Sequence, residues 1–301
     1  MFKHILVPID GSPLSEAALP AAAFLAQKLA ARVTLLHVVE RNAPPAVHGQ
    51  PHLQHAADAE RYLKDVAARA FPAGVTVDCH VHRNEVDNVA ASIVDHADEL
   101  EHDLVIMCSH GRGQALHLFM GSIAQSVIAR DSRPVLITHP TSDGSPPVFR
   151  CRHILLPLDE DPEHAEALPV SKELARACGA TLHPTVVIPD LGTLSGQEAV
   201  ASRMLPGTTK RLLELTTEDA KRSFAVLESS LKREGFQASA HVLRGDPASV
   251  IVAAAERARI DLIVIGTHGK TGMDAFWAGS VAHRICSQSR VPLLLVPVGK
   301  G

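Results

Sequence analysis

The chain is written twice, and that repetition constrains its fold more than any other feature. His4-Ile5-Leu6-Val7-Pro8-Ile9-Asp10 stands beside His153-Ile154-Leu155-Leu156-Pro157-Leu158-Asp159, each a strand pattern ending in Pro-x-Asp. Nine residues after each Asp comes a Leu-Pro pair, Leu19-Pro20 and Leu168-Pro169. A proline in a helix interior costs about 3 kcal/mol. Its presence at one place in both halves therefore points to duplication. A second pair of matches lies further on. Cys108-Ser109-His110-Gly111, nine residues, then Gly121-Ser122 repeats as Gly266-Thr267-His268-Gly269, nine residues, then Gly279-Ser280.

Between these landmarks each half alternates strand and helix patterns. Ala18, Ala22, Leu25 and Leu29 form one apolar helical face, and Leu174 lies in the matching helix, which Gly179 is placed to close. The second strands read as Val33–Val39 and Thr181–Val187; Pro184 predicts a bulged or partly unpaired copy. Polar segments follow, from Arg41 to about Ala57 and from about Pro189 to Thr217. Helices are expected over Ala56–Ala70 and Thr217–Glu234. Third strands are expected over Val75–Val81 and Ala238–Leu243. The helices Asp87–Glu99 and Pro247–Ala258 come next, the second with Asp246 as N-cap and Pro247 in its first turn. The apolar runs Leu104–Met107 and Leu262–Ile265 lead into the glycine loops. Helices Ser122–Ala129 and Ser280–Cys286 and strands Val135–Thr138 and Leu293–Val296 end the halves.

Such β-α alternation implies an α/β fold: two tandem, doubly wound, parallel five-stranded sheets with right-handed crossovers. The stretch Pro140–Pro147 is rich in Pro, Gly and Ser and reads as a linker. The expected division is domain 1 over 1–140, a linker over 141–150 and domain 2 over 151–301.

In a doubly wound sheet, ligands sit beyond the carboxyl ends of the strands, where the strand order reverses. The Asp of each first strand and the glycine loop of each fourth strand should share that rim. Gly266 and Gly269 allow close backbone approach to a phosphate, and so does Gly279. If Ser280 opens a helix, the N–H groups of Ser280 and Val281 and the helix dipole favour an anion. A carboxylate such as Asp159 suits ribose hydroxyls or an adenine amine. Gly269-Lys270-Thr271 imitates the end of a P-loop, but the upstream glycine falls at Val264. Gly111-Arg112-Gly113 is followed by Gln114-Ala115-Leu116, so the dinucleotide fingerprint is incomplete. No catalytic set is assigned, and enzymatic action is confined to weak ATP hydrolysis.

Composition narrows the partners. Net charge is -4 with both signs interspersed, and aromatic residues are 3%, so neither a basic footprint nor a base-stacking surface for nucleic acid is expected. Apolar runs are too short for a membrane span. The five cysteines are scattered without a C-x-x-C pair, which suits reduced thiols and a cytoplasmic setting. His48, His52 and His55 are spaced i, i+4, i+7, as a helical metal site would need, but an exposed polar face is the expectation, and no metal is assigned.

The Gly-x-x-Gly, nine residues, Gly-Ser pattern after a strand resembles the nucleotide-binding signature of the universal stress protein family. So does Ile5-Leu6-Val7-Pro8-Ile9-Asp10-Gly11-Ser12 followed by Ser15 and Ala18-Leu19. Both halves carry the resemblance, which implies a tandem member. It implies an adenine nucleotide alpha hydrolase-like fold whose halves pack as an intramolecular pseudo-dimer, with ATP, accompanied by Mg²⁺, as cofactor. It also implies a homodimer through sheet-edge contacts, a role in stress response, and a nucleotide-responsive regulatory switch. By the resemblance, the first site comprises Pro8, Asp10, Val38, Gly111, Gly121, Ser122 and Ile123. The second comprises Pro157, Asp159, Val186, Gly266, His268, Gly269, Gly279, Ser280 and Val281. Each has a defect: Cys108 replaces the first motif glycine, and Glu160-Asp161 replace the Gly-Ser after the strand's Asp. A scaffold of the same fold without nucleotide, or a metal or small-ligand binder using residues 189–217, are the alternative readings.

Overall fold

The computed structural model describes residues 2–41, 43, 46–47, 50–51, 53–109, 120–141, 147–158, 167–194, 196–268 and 280–298. The first half contains strands β1 (His4–Pro8), β2 (Arg32–Glu40), β3 (Ala46–Val47), β4 (Gln50–Pro51), β5 (Val77–Val86), β6 (Leu104–Cys108) and β7 (Val135–Thr138). Its helices are α1 (Leu19–Leu29), α2 (Ala56–Ala70), α3 (Val89–Glu99) and α4 (Ser122–Arg130). The second half contains β8 (His153–Pro157), β9 (Thr181–Ile188), β10 (His241–Arg244), β11 (Leu262–His268) and β12 (Leu293–Val298). Its helices are α5 (Ala167–Cys178), α6 (Gly196–Met204), α7 (Pro206–Arg233), α8 (Pro247–Arg257) and α9 (Val281–Gln288).

Ten of these strands form one sheet in the order β10-β9-β8-β11-β12-β7-β6-β1-β2-β5. Each half contributes the order 3-2-1-4-5 in its own strands, all parallel. The halves join through their last strands, where β12 and β7 run antiparallel with Leu294 opposite Leu136. The pseudo-dimer is thus a continuous sheet whose outer edges are β5 and β10. The edge that a last-strand dimer would need is used within the chain.

Two cores cover the two faces. On one face α1, α2 and α5 pack on Ile5, Val7, Leu156 and Leu294. On the other, α3, α4, α8 and α9 pack on Leu6, Val105, Leu155 and Leu295. Residues of both halves enter each core. The linker is not wholly exposed either: Phe149 is buried, edge-on to Phe24 at 5.5 Å between ring centroids.

The periodicity of α1 is borne out, with Ala18, Ala22 and Leu25 buried and Leu29 packed against the same core. The shared proline has a different explanation from the one its sequence position suggests. Pro20 lies in the first turn of α1 and Pro169 is the third residue of α5. Proline is tolerated in the first turn of a helix, where its fixed φ fits and its missing N–H costs little, so the interior penalty does not arise. Both helices end in a left-handed residue, Gly179 at φ +67 and, at the matching place, Ala30 at φ +52.

Two expectations need correction. The segment 189–217 is largely helical, because Pro206 starts α7 as an N-terminal proline instead of marking a turn. That makes α7 28 residues long, against 15 for its counterpart α2. The third strand of the first half runs to Val86, well beyond Val81. Of the three spaced histidines, His55 is exposed and precedes α2 as its N-cap residue. His48 and His52 lie outside the described residues. Among the described residues no group of three or more His, Cys, Asp or Glu is placed to hold a metal ion.

Pro184 acts as expected. Leu182 bonds towards the β10 side, accepting from the Ser239 N–H and donating to the Gln237 carbonyl, both at 2.9 Å. By strand alternation the missing N–H of Pro184 also faces β10. The regular β9–β10 ladder begins only at Thr185, opposite His241.

Candidate functional site

The site lies at the switch point of each half. β1 bonds β2 along its whole length, His4 to Pro8, but bonds β6 only at Ile5 and Leu6. β8 bonds β11 only at Ile154 and Leu155. The central strands therefore part towards their carboxyl ends, and their crossover helices leave to opposite faces. A crevice opens where they part.

In the first half Pro8 ends β1 and Asp10 follows it. Asp10 Oδ1 accepts the Ser12 N–H at 2.9 Å, an Asx turn that aims the chain away from the sheet. The Asp10 N–H donates to Ser15 Oγ at 3.3 Å, and the Ser15 hydroxyl donates to the Ser12 carbonyl at 2.8 Å. Ser12 and Ser15 are both buried, and the turn Ser15–Ala18 packs on β6 and β7. Gly11 sits at φ +91, a conformation that glycine adopts without strain, and a Cβ there would meet Leu53 at 2.7 Å.

Val38 lies on β2, on the face of α3 and α4. Its neighbour His37 is buried, with Nδ1 2.9 Å from the Ile9 carbonyl and Nε2 3.1 Å from the Leu53 carbonyl. One imidazole thus ties the end of β1 to the segment that enters α2.

The registers correct the match between halves. Pro8 pairs Leu36, and Pro157 pairs Thr185. The counterpart of Val38 is therefore Val187, and Val186 corresponds to His37. Val186 packs with Leu213 and Phe224 under α7, whereas Val187 packs on the face that carries α8. The sequence match slipped by one residue, which in a strand exchanges the faces.

Cys108 ends β6 with its thiol buried and raised well above its ordinary pKa, by burial first and the nearby Asp10 second. Neither Cys108 nor Gly266 adopts a positive φ. The first motif position therefore places no left-handed demand on the backbone, and the cysteine carries no such strain.

The two Gly-Ser pairs differ at their helices. Gly121 is the N-cap of α4 at φ -62 and ψ 150, with no side-chain cap, and Ser122 and Ile123 open the helix. Met120, just before it, is buried in the same core as Leu6 and Met107. In the second half Ser280 is the cap itself, not the first helical residue. Its Oγ accepts the His283 N–H at 3.2 Å, and Val281 opens α9. Ile123 and Val281, at matching places, are both exposed. Pro157 ends β8, while Gly266 and the backbone of His268 lie in β11 opposite Val296 and Val298. Gly111, Asp159, Gly269 and Gly279 lie outside the described residues, as do Glu160 and Asp161.

The model of the universal stress protein family matches residues 1–139 and again 150–297. The chain belongs to the universal stress protein family. A universal stress protein of Mycolicibacterium smegmatis is 24% identical over 318 residues, spanning 97% of this chain and 96% of that one. One from Methanocaldococcus jannaschii is 29% identical over 145 residues, covering 48% of this chain and 81% of its own. Among solved structures, a universal stress protein of Archaeoglobus fulgidus superposes with a TM-score of 0.71 at 19% identity, covering 99% of this chain and 97% of that one. That likeness speaks to the fold.

Sequence reasoning missed one contact in this tandem universal stress protein. His139, just past β7, places Nδ1 2.7 Å from Ser109 Oγ, beside the first glycine loop. Burial pushes its imidazole down to about 4, so it is neutral at pH 7. At the matching place β12 carries Pro297, so the pair belongs to the first half alone. The two residues are distant in sequence and meet only because β6 and β7 are neighbours.

Proposed function

We propose that each half binds an adenine nucleotide, ATP with Mg²⁺, in the crevice where its first and fourth strands part. The observation that best supports this is the N-terminus of α4. It follows the loop that leaves β6, no side chain caps it, and its first-turn N–H groups suit a phosphate. Asp10 at the end of β1 and the backbone of Val38 would address the ribose and adenine. In the second half Ser280, Val281 and Val187 take the corresponding places. Nucleotide would then act as a switch in a stress response, by binding one conformational or oligomeric state more tightly than another. The setting is proposed to be cytoplasmic: all five cysteines are free. Among the described residues no helix is long and apolar enough to cross a membrane.

Mass spectrometry of ligands released from purified protein, followed by calorimetric titration with ATP, tests the reading. One equivalent is expected per half. Gly121→Val should remove the first and Gly279→Val the second. Absence of both bound nucleotide and any ATP-dependent rise in Tm would leave the scaffold reading in its place.

A further inference from the structure

Helix α7 buries one apolar face and leaves apolar residues exposed on another. Leu213, Ala220, Phe224 and Leu231 are buried against the sheet and the helix's own half. Leu205, just before the helix, and Leu212, Leu215 and Val226 within it are exposed, Leu205 and Leu212 at 61% each. Their spacing is heptad-like: Leu205, Leu212, Asp219 and Val226 recur every seven residues, with Thr208, Leu215 and Arg222 three residues after the first three. On the preceding helix, α6, Val200 and Met204 are also exposed, at i and i+4. The ion-paired Asp219 and Arg222 separate Val226 from the rest, so the apolar patch is formed by Leu205, Leu212 and Leu215; scattered exposed leucines are ordinary, but three on one side of a few turns mark an interaction surface. The counterpart helix α2 lacks the extra turns on which this patch lies.

The charges beside the patch specify the occupant. We infer that this face binds a second copy of the chain, with the two α7 helices crossing antiparallel about a two-fold axis. In that register Leu212 of one copy meets Leu215 of the other, twice. Leu205 lies along the stem of Arg222, and Thr208 faces Asp219. The flanking positions then bring Arg211 against Glu218 of the second copy, again twice. Arg211 and Glu218 are both exposed, and Arg211 holds Glu214 at 3.2 Å within its own helix. The surface is self-complementary: apolar at its centre, oppositely charged at its flanks and polar at its ends, as an isologous interface requires. It does not use the last strands, β7 and β12, which pair within the chain.

The full chain, at 32.1 kDa, should run as a species of about twice that mass in multi-angle light scattering at micromolar concentration. Leu212→Glu with Leu215→Glu should give monomer without loss of helical signal. Arg211→Glu and Glu218→Arg should each weaken the dimer by about tenfold, and the two together should restore it. The restoring double variant guards against misfolding as the cause. Monomeric wild type would overturn the inference. So would a dimer indifferent to the leucine substitutions, or charge reversals that fail to compensate.

Discussion

Val38 and Val186 lie on opposite faces of the continuous sheet, although both are valines in the second strand of their half. The residue aligned with Val186 is His37, whose ring spans the Ile9 and Leu53 carbonyls in the first half. The two halves therefore hold their crevices differently. The first has a polar clamp within its core, and the second has an apolar contact under α7.

Removing that clamp should cost stability. His37→Ala removes a buried imidazole whose N–H reaches the Ile9 or the Leu53 carbonyl according to its tautomer, so a loss of about 1–2 kcal/mol is expected in urea unfolding. Gly11→Ala should lose about 1–2 kcal/mol, because it forces φ +91 on an alanine and pushes its Cβ into Leu53. Unchanged midpoints would show that neither contact holds the turn.

Cys108→Gly separates two accounts of the first motif position. Were that position left-handed, glycine would relieve strain and stabilise the protein. The backbone there is not left-handed, so the variant should lose about 1–2 kcal/mol through a cavity and a freer unfolded chain. The buried wild-type thiol should also react slowly with a disulfide reagent in the native state.

The helix ends make a matched pair. Ala30→Gly should stabilise the protein by up to about 1 kcal/mol, since it relieves a left-handed alanine at the end of α1. Gly179→Ala should cost about as much at the end of α5. Opposite signs in thermal or urea unfolding are the outcome to look for.

Acid should destabilise the fold through its histidines. His153, His183 and His241 form a hydrogen-bonded chain across β8, β9 and β10, with contacts of 3.2 and 3.1 Å. Burial, with His241 and His153 beside it, pushes His183 down to about 4. An unfolded histidine titrates near about 6.5. As pH falls from there towards about 4, the unfolded chain takes the proton first, so stability is lost across that window and levels off below it. His183→Leu should flatten the pH dependence of the urea midpoint in this range. A residual slope should persist from His102, held down to about 3, and His139, held down to about 4, both chiefly by burial.

Much of this was legible in the chain. The Pro-x-Asp end of β1, the apolar face of α1, the Asp246 cap of α8 and the broken β9 ladder at Pro184 are local effects. They follow from periodicity, a missing N–H or a side chain reaching three residues ahead. The length of α7 was not legible, because Pro206-Gly207 reads alike as a turn and as a helix start, and burial of Leu213 on the sheet decides between them. Nor was the register of Val187, since a run of two valines does not say which one faces α8.

The duplicated sequence by itself determined two α/β halves, their strand and helix order, and the rim on which Asp10 falls. Those features depend on short-range pattern and on the handedness of crossovers. Tertiary structure alone decided that β7 and β12 fuse the halves into one sheet. It also decided that His37 clamps the first crevice and that one face of α7 is left uncovered. Each depends on which residues distant in the chain become neighbours, and only packing makes that choice.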